Sequence, residues 1–229
     1  LQGQTALTWS VSDAQADVFA TPADCSFAGL SFDLHIKGKS AQVKTTLYGS
    51  FNLENCLFAA ACAYALGVSF EHIVSGLSCA KGVPGRFERV GEKGQTPLVL
   101  VDFAHTPDAV KKALLSVRSL GQGRVIAVLG CGGNRDKMKR PQMGHIASSL
   151  ADAFIITDDN PRNEDPKAIR LEMLAGVPTH HREKTQLIGD RKQAIHTALR
   201  LAHKNDIVLI LGKGHEKTQI FADKTLPFD

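Results

Sequence analysis

The chain has 229 residues, with 27 Lys and Arg against 23 Asp and Glu and a formal net charge of +4. That length admits one large domain or two modest ones with a real core, and the charge is too mild and too dispersed for a nucleic-acid arm. Five cysteines, at positions 25, 56, 62, 79 and 131, are odd in number and never fall in CxxC spacing, which argues against a disulfide framework or a zinc site and for a reducing, cytoplasmic setting.

No amino-terminal signal sequence and no membrane-length apolar stretch is visible. The chain opens on Leu1 rather than Met and stops at Phe228-Asp229 without an evident ending. It reads as a fragment of a longer protein.

In chain order, residues 5–11, 30–37 and 42–48 alternate as strands do, with Gly38-Lys39-Ser40 as a turn between the last two. A small antiparallel unit is expected. The Ala- and Leu-rich run that follows predicts a helix from about Asn52 to Leu66, stopped by Gly67. Asn52 is its expected N-cap, with Asn55 in the first turn. A shorter helix opens at Ser69, a capping residue with Glu71 and His72 in its first turn. The segment KGVPGRFERV, with two Gly and a Pro, is the best candidate for a domain boundary.

From Thr96 the pattern becomes regular. Strands LVLVDFA, RVIAVLG, AFIIT and DIVLILG alternate with helices over 107–120, 142–150, 165–175 and 190–203, and a weaker strand is expected near His180 to Glu183. TQIFAD is a possible terminal edge strand. Strands that are apolar throughout and alternate with helices predict a doubly wound, mostly parallel α/β sheet covered on both faces. Internal repeats and low-complexity segments are absent.

Four strand ends in this half carry polar clusters: VDFAHTPD, GCGGNRDK, DDNPRNEDP and GKGHE. Each taken singly could be a turn, since Gly, Asp and Asn populate βα loops for conformational reasons. Four on one rim are harder to dismiss, because open α/β sheets bind ligands at the carboxyl ends of their strands. Arg135 could grip a carboxylate, as could Arg162, while Asp159 and Asn160 could accept from an ammonium group. Together they could hold an amino acid by both charged ends. Thr106 and Pro107 read as a helix cap, which leaves Asp102 and His105 free to face a ribose or base. Arg86 could be an anion contact or half of a surface ion pair with Glu88. His180 and His181, neighbours on a predicted strand, would point to opposite faces and make a poor metal pair. GxxxxGK[ST] occurs nowhere, and no GxGxxG follows the first strand of the second half, which removes a nicotinamide-dependent dehydrogenase.

The order FNLEN, VPGRFE, VDFAHTP, GCGGNRDKMKRPQMG, TDDNPRNEDP and GKGHE, unbroken from about Leu47 to the end, resembles the Mur ligases of bacterial peptidoglycan synthesis, on the branch that adds meso-diaminopimelate. The resemblance implies a central-domain remainder over 1–87, with a small antiparallel sheet, and a Rossmann-like amino-acid-binding domain over 88–229. It implies an ATP-dependent acid–amino-acid ligase in which a substrate carboxylate is phosphorylated and the incoming amine displaces phosphate, with Mg2+ supporting the transfer. By the same resemblance Asn55, Arg86, Asp102 and His105 contact ATP, and Arg135, Asp159, Asn160, Pro161, Arg162, Gly212 and Glu216 form the diaminopimelate pocket. Arg162 selects the ligand with the extra carboxylate, because lysine would leave it unpaired. Asn134 stands where the family often has Asp, and Phe103 where Tyr is usual. The phosphate loop, the family's carbamylated lysine and the UDP-binding domain are expected before Leu1, so no catalytic or metal-binding residue is assigned within the chain, and the fragment alone is expected to be inactive. Implied partners are UDP-MurNAc-dipeptide and meso-diaminopimelate, acted on by a cytoplasmic monomer without nucleic acid or membrane. A non-catalytic amino-acid-binding module on the same fold is the alternative.

Overall fold

The computed structural model describes residues 6–91, 97–121 and 123–228. The chain forms two compact units, Leu1–Gly82 and Val83–Asp229. The break falls inside KGVPGRFERV, and the VPGRF segment packs with the second unit.

In the first unit a four-stranded sheet runs in the order β1 (Trp9–Ser10), β2 (Val18–Ser26), β3 (Gly29–Ile36), β4 (Lys39–Thr45), with helices α1 (Ser50–Ala65) and α2 (Phe70–Ser78) against it. Inward residues of β3 alternate with half-exposed ones, the pattern of a sheet buried on one face. Phe32, Leu34, Ile36 and Val43 meet Leu53, Leu57 and Ile73 in the core.

Several expectations change here. The strand predicted over 5–11 shortens to Trp9–Ser10 and pairs parallel to β2, so the sheet is not wholly antiparallel; residue 5 lies outside the described residues. β2 itself escapes sequence reading because its run DVFATPADCS carries a Pro and two Asp, and the ladder register shifts at that point, between Thr21 and Ala23. The hairpin turn falls at Lys37-Gly38, both at positive φ, one residue earlier than expected. Gly49, not Asn52, is the N-cap of α1, without a side-chain cap. Asn52 sits inside the helix and donates from Nδ2 to the Tyr48 carbonyl at 2.7 Å.

The second unit holds a six-stranded sheet in the order β5 (Glu88–Val90), β6 (Leu98–Asp102), β10 (Ile207–Leu211), β7 (Val125–Leu129), β8 (Ala153–Ile156), β9 (Thr185–Leu187). β5 is an antiparallel edge and every other pairing is parallel. All five residues of β7 and of β10 are buried, which is why these strands read as unbroken apolar runs. α3 (Pro107–Arg118), α4 (Lys139–Leu150) and α5 (Pro166–Ala175) pack together on one face, and α6 (Arg191–Leu201) covers the other through Ala194 and Ala198.

Helix starts follow their caps. Thr106 accepts from the Ala109 amide ahead of Pro107, Asp165 from the Lys167 amide ahead of Pro166, and Asp190 from the Gln193 amide. α4 begins three residues before Gln142, with Pro141 in its first turn, where a proline's missing amide costs no helical hydrogen bond. The strand expected near His180 to Glu183 is instead a 3-10 turn over Thr179–His181, with β9 following it. TQIFAD is not an edge of the main sheet. Its residues Thr218–Ile220 (β11) pair antiparallel with Thr225–Pro227 (β12) in a separate ribbon. No helix among the described residues is long and apolar enough to cross a membrane.

Candidate functional site

Because β6, β10, β7 and β8 are mutually parallel, the four polar clusters emerge on one rim. They enclose a cavity of about 250 Å³ lined by Phe103, His105, Gly130, Cys131, Gly132, Arg135, Lys139, Asp159, Asn160, Arg162, Gly212 and Glu216. All four loops contribute. β10 lies between β6 and β7 although it comes last in sequence, so the chain reverses direction across the sheet here, the usual place for a ligand crevice.

The glycines of GCGG allow the loops to close. A Cβ on Gly130 would lie 2.5 Å from the Thr157 carbonyl oxygen, and one on Gly133 would lie 1.8 Å from that of Pro161. In the absence of those carbons the Gly133 amide donates to the Asn160 carbonyl at 2.8 Å, and Arg162 Nη1 returns a bond to the Gly133 carbonyl at 2.9 Å. Arg162, at φ +52°, is anchored through carbonyl oxygens of its own and the facing loop, and it forms no ion pair among the described residues. Arg135 is exposed and donates from Nη1 to the Asn134 carbonyl at 3.1 Å. Two guanidiniums thus reach the cavity without a protein carboxylate bonded to either.

The acidic side is organised differently. Asp159 is buried, accepts from the Asn160 amide at 2.8 Å, and its Oδ2 occupies the space a Cβ on Gly212 would need, at 2.9 Å. Gly212 has φ +108°, a conformation glycine adopts freely. Asn160 serves the fold more than the cavity: its Oδ1 accepts from Lys213 Nζ at 3.0 Å and from the Ile220 amide at 3.0 Å, and its Nδ2 donates to Glu216 at 2.8 Å. Pro161 is buried, and its carbonyl accepts from the Glu164 amide. Burial works against the charge on Glu216, but its hydrogen bonds from Lys213 and Asn160 prevail and hold its carboxyl below the ordinary range. The cavity lining therefore carries three cations (Arg135, Lys139, Arg162) and two carboxylates (Asp159, Glu216). That mixture of charges suits a compact zwitterion.

On the β6 side, Asp102 accepts from the Phe87 amide at 3.0 Å and the Ala104 amide at 2.8 Å. Burial pushes its carboxyl up, against the pull of those two amides. Arg86 lies over the Phe103 ring at 4.7 Å, and His105 packs edge-on to the same ring while its Nδ1 donates to the Phe103 carbonyl at 2.8 Å. Arg86, Asp102 and His105 are thus brought together. Asn55 belongs to the other compact unit, exposed on α1, with Nδ2 donating to Asn52 Oδ1 at 3.0 Å. Among the described residues no group of three His, Cys, Asp or Glu side chains could hold a metal ion. His180 and His181, on the 3-10 turn, pack ring to ring with centroids 4.1 Å apart.

Sequence reading passed over two participants, Lys139 and Cys131, and left a third, Lys213 of GKGHE, open between a ligand loop and a hairpin turn. Lys139 lines the cavity and donates from Nζ to the His105 carbonyl at 2.8 Å. Cys131 also lines it, but burial pushes its thiol up to about 12, which keeps it protonated and inert. Lys213 is buried between Asn160 and Glu216. Only the position of Lys139, four residues after Arg135 in the same loop and helix start, hinted at its role; of the partners of Lys213, Glu216 is three residues away and Asn160 lies 53 positions away.

The fold and this crevice define an α/β domain with a charged pocket at the carboxyl ends of its parallel strands. Residues 85–214 match the family model described as Mur ligase, glutamate ligase domain, and the chain belongs to the Mur ligase family. It is 46% identical over 215 residues to the UDP-N-acetylmuramoyl-L-alanyl-D-glutamate--2,6-diaminopimelate ligase of Geobacillus kaustophilus, covering 94% of this chain and 44% of that protein. The protein of the same name from Prochlorococcus marinus is 43% identical over 221 residues, covering 96% of this chain and 43% of its own length. A solved structure of a ligase bearing that name superposes with a TM-score of 0.74 at 37% identity, over 97% of this chain and 45% of that one. The chain spans less than half the length of these relatives.

Proposed function

We propose that this chain is the carboxy-terminal part of an ATP-dependent ligase that adds meso-diaminopimelate to UDP-N-acetylmuramoyl-L-alanyl-D-glutamate in cytoplasmic peptidoglycan synthesis. The observation that carries the reading is one strand-end cavity lined by both Arg135 and Arg162 and by Asp159 and Glu216. An α-amino acid needs one anion and one cation site. A second carboxylate needs a second cation, which the remaining guanidinium supplies. Lysine would strand a guanidinium already held in place by carbonyl oxygens, and an unmet polar group of that kind is what lets a site reject the smaller ligand strongly.

In this reading the first compact unit is the end of the ATP-binding domain, and Arg86, Asp102 and His105 of the second unit meet the adenosine end of ATP. The phosphate cradle and Mg2+ site are assigned to sequence outside these residues, since neither a phosphate loop nor a metal cluster is found in the described part. The diaminopimelate amine would attack an acyl phosphate on the D-glutamyl carboxylate and release phosphate, a reaction in which holding the amine in line supplies much of the rate. Glu216, with its charge favoured, and Asp159 hold the ammonium end until it loses its proton. Residues 1–229 alone are expected to be inactive, and the working enzyme a monomer.

The test is calorimetric titration of the chain with meso-diaminopimelate and with L-lysine, each repeated with Arg162→Ala. Saturable binding of diaminopimelate alone, lost in the variant, is the expected result. Equal binding of lysine would overturn the assignment of selectivity to Arg162.

A further inference from the structure

Arg140 is absent from the cavity lining, yet it is fully buried and bonds the carbonyl of Gly132, which does line it. Its Nη1 donates to Glu164 at 2.9 Å and to Glu172 at 2.7 Å, and its Nη2 donates to Glu164 at 2.9 Å and to the Gly132 carbonyl at 3.2 Å. Glu164 also accepts from the Asn134 amide and pairs with Lys137 at 3.2 Å. Those contacts converge on the two loops that carry the cavity guanidiniums. Asn134 immediately precedes Arg135 and is held at φ +53°, and Glu164 lies two residues past Arg162 in a turn closed by its own amide on Pro161. Gly132, also tied to Arg140, precedes the Gly133 carbonyl on which Arg162 rests.

We infer that Arg140 and Glu164 are a positioning pair that sets the separation of the Arg135 and Arg162 guanidiniums, and through it the preference for an amino acid with a second carboxylate. The inference rests on the amino-acid pocket proposed above. Two charged forks that share one ligand must be held to within about 0.5 Å of the productive geometry. Both forks sit on loops, and a single bidentate ion pair spans them. Glu172, on α5, supplies the contrast: it shares Arg140 but makes no hydrogen bond to either loop among the described residues. A pair that merely braced the fold would make Glu164 and Glu172 interchangeable.

Four proteins test this: the parent chain and its Glu164→Gln, Glu164→Ala and Glu172→Gln variants. Each is titrated with meso-diaminopimelate and with L-lysine, and each is crystallised without ligand. In Glu164→Ala the diaminopimelate preference should collapse by up to about 100-fold, the loss a misplacement of roughly 1 Å can cause, with the Asn134–Arg135 segment displaced. Glu164→Gln, which keeps an acceptor for the Asn134 amide, should recover part of the preference, and Glu172→Gln should retain it. Unmoved loops in Glu164→Ala, or an equal collapse in Glu172→Gln, would overturn the positioning role. Should the parent chain bind neither amino acid, the pocket reading fails for the isolated chain, while the ligand-free structures still decide whether Glu164 sets the loop separation.

Discussion

Two loops that leave the same sheet, one after β6 and one after β8, use polar residues to opposite ends. Asp102 closes the first by accepting two amides of its own unit, and Arg86 and His105 settle on the ring of Phe103 beside it. The second loop buries Asn160 against Lys213, Glu216 and Ile220 yet brings Arg162 to the cavity with carbonyl partners and no acid. A polar cluster at a strand end is therefore not one kind of object. Where a side chain accepts backbone amides it builds the loop, and where a charge is steadied by carbonyls alone it is left to meet an anion.

The largest expected effect would break the second loop outright. Gly133→Ala puts a carbon 1.8 Å from the Pro161 carbonyl oxygen, and relieving that clash should cost about 3 kcal/mol, read as a lower urea midpoint. Next comes the first loop: Asp102→Ala strands two buried amides and should cost about 2 kcal/mol in the same measurement. A cost as small for Asp102→Ala as for an exposed residue would dissolve the contrast between the loops.

A pH series sharpens it further. Hydrogen bonding from Arg140, with help from the Asn134 amide, holds the Glu164 carboxyl down to about 2 from an ordinary 4.5. A depressed carboxyl contributes stability that is fully present above the unfolded value and fades as pH falls through the folded one. The stability gap between the parent chain and Glu164→Gln should thus be constant above about pH 5 and close between there and about pH 2. A gap that widened on acidification would contradict the pairing. The smallest effect belongs to Arg135→Ala. Its side chain is exposed and bonds only a neighbouring carbonyl among the described residues, so the stability read from urea unfolding should change by no more than about 0.5 kcal/mol while diaminopimelate affinity falls.

Much of this was readable from local chemistry. LVLVD, VIAVL, AFII and IVLIL announce strands buried on both faces, and Thr106, Asp165 and Asp190 mark the helix starts that follow strand ends. β2 stayed hidden because a Pro at a register shift looks like a loop until a partner strand is present on each side. The segment after Pro178 misled for a related reason: three residues of 3-10 turn have too little periodicity to separate from a short strand.

Within the rim, residue types and their order along the chain were enough to nominate Arg135, Asp159, Asn160 and Arg162, because charge at the ends of apolar runs is a local signal, while Gly212 and Glu216 came from the resemblance of the motif series. Which of them serve the fold and which face the cavity was decided by tertiary structure. Asn160 finds Lys213 and Glu216 more than fifty positions away, and Arg140 finds Glu164 and Glu172 on elements that pack beside it only once the sheet has formed. A sequence states what each side chain is able to donate or accept. Which partner satisfies it depends on strand order, and strand order is set by packing the whole sheet rather than by any one segment.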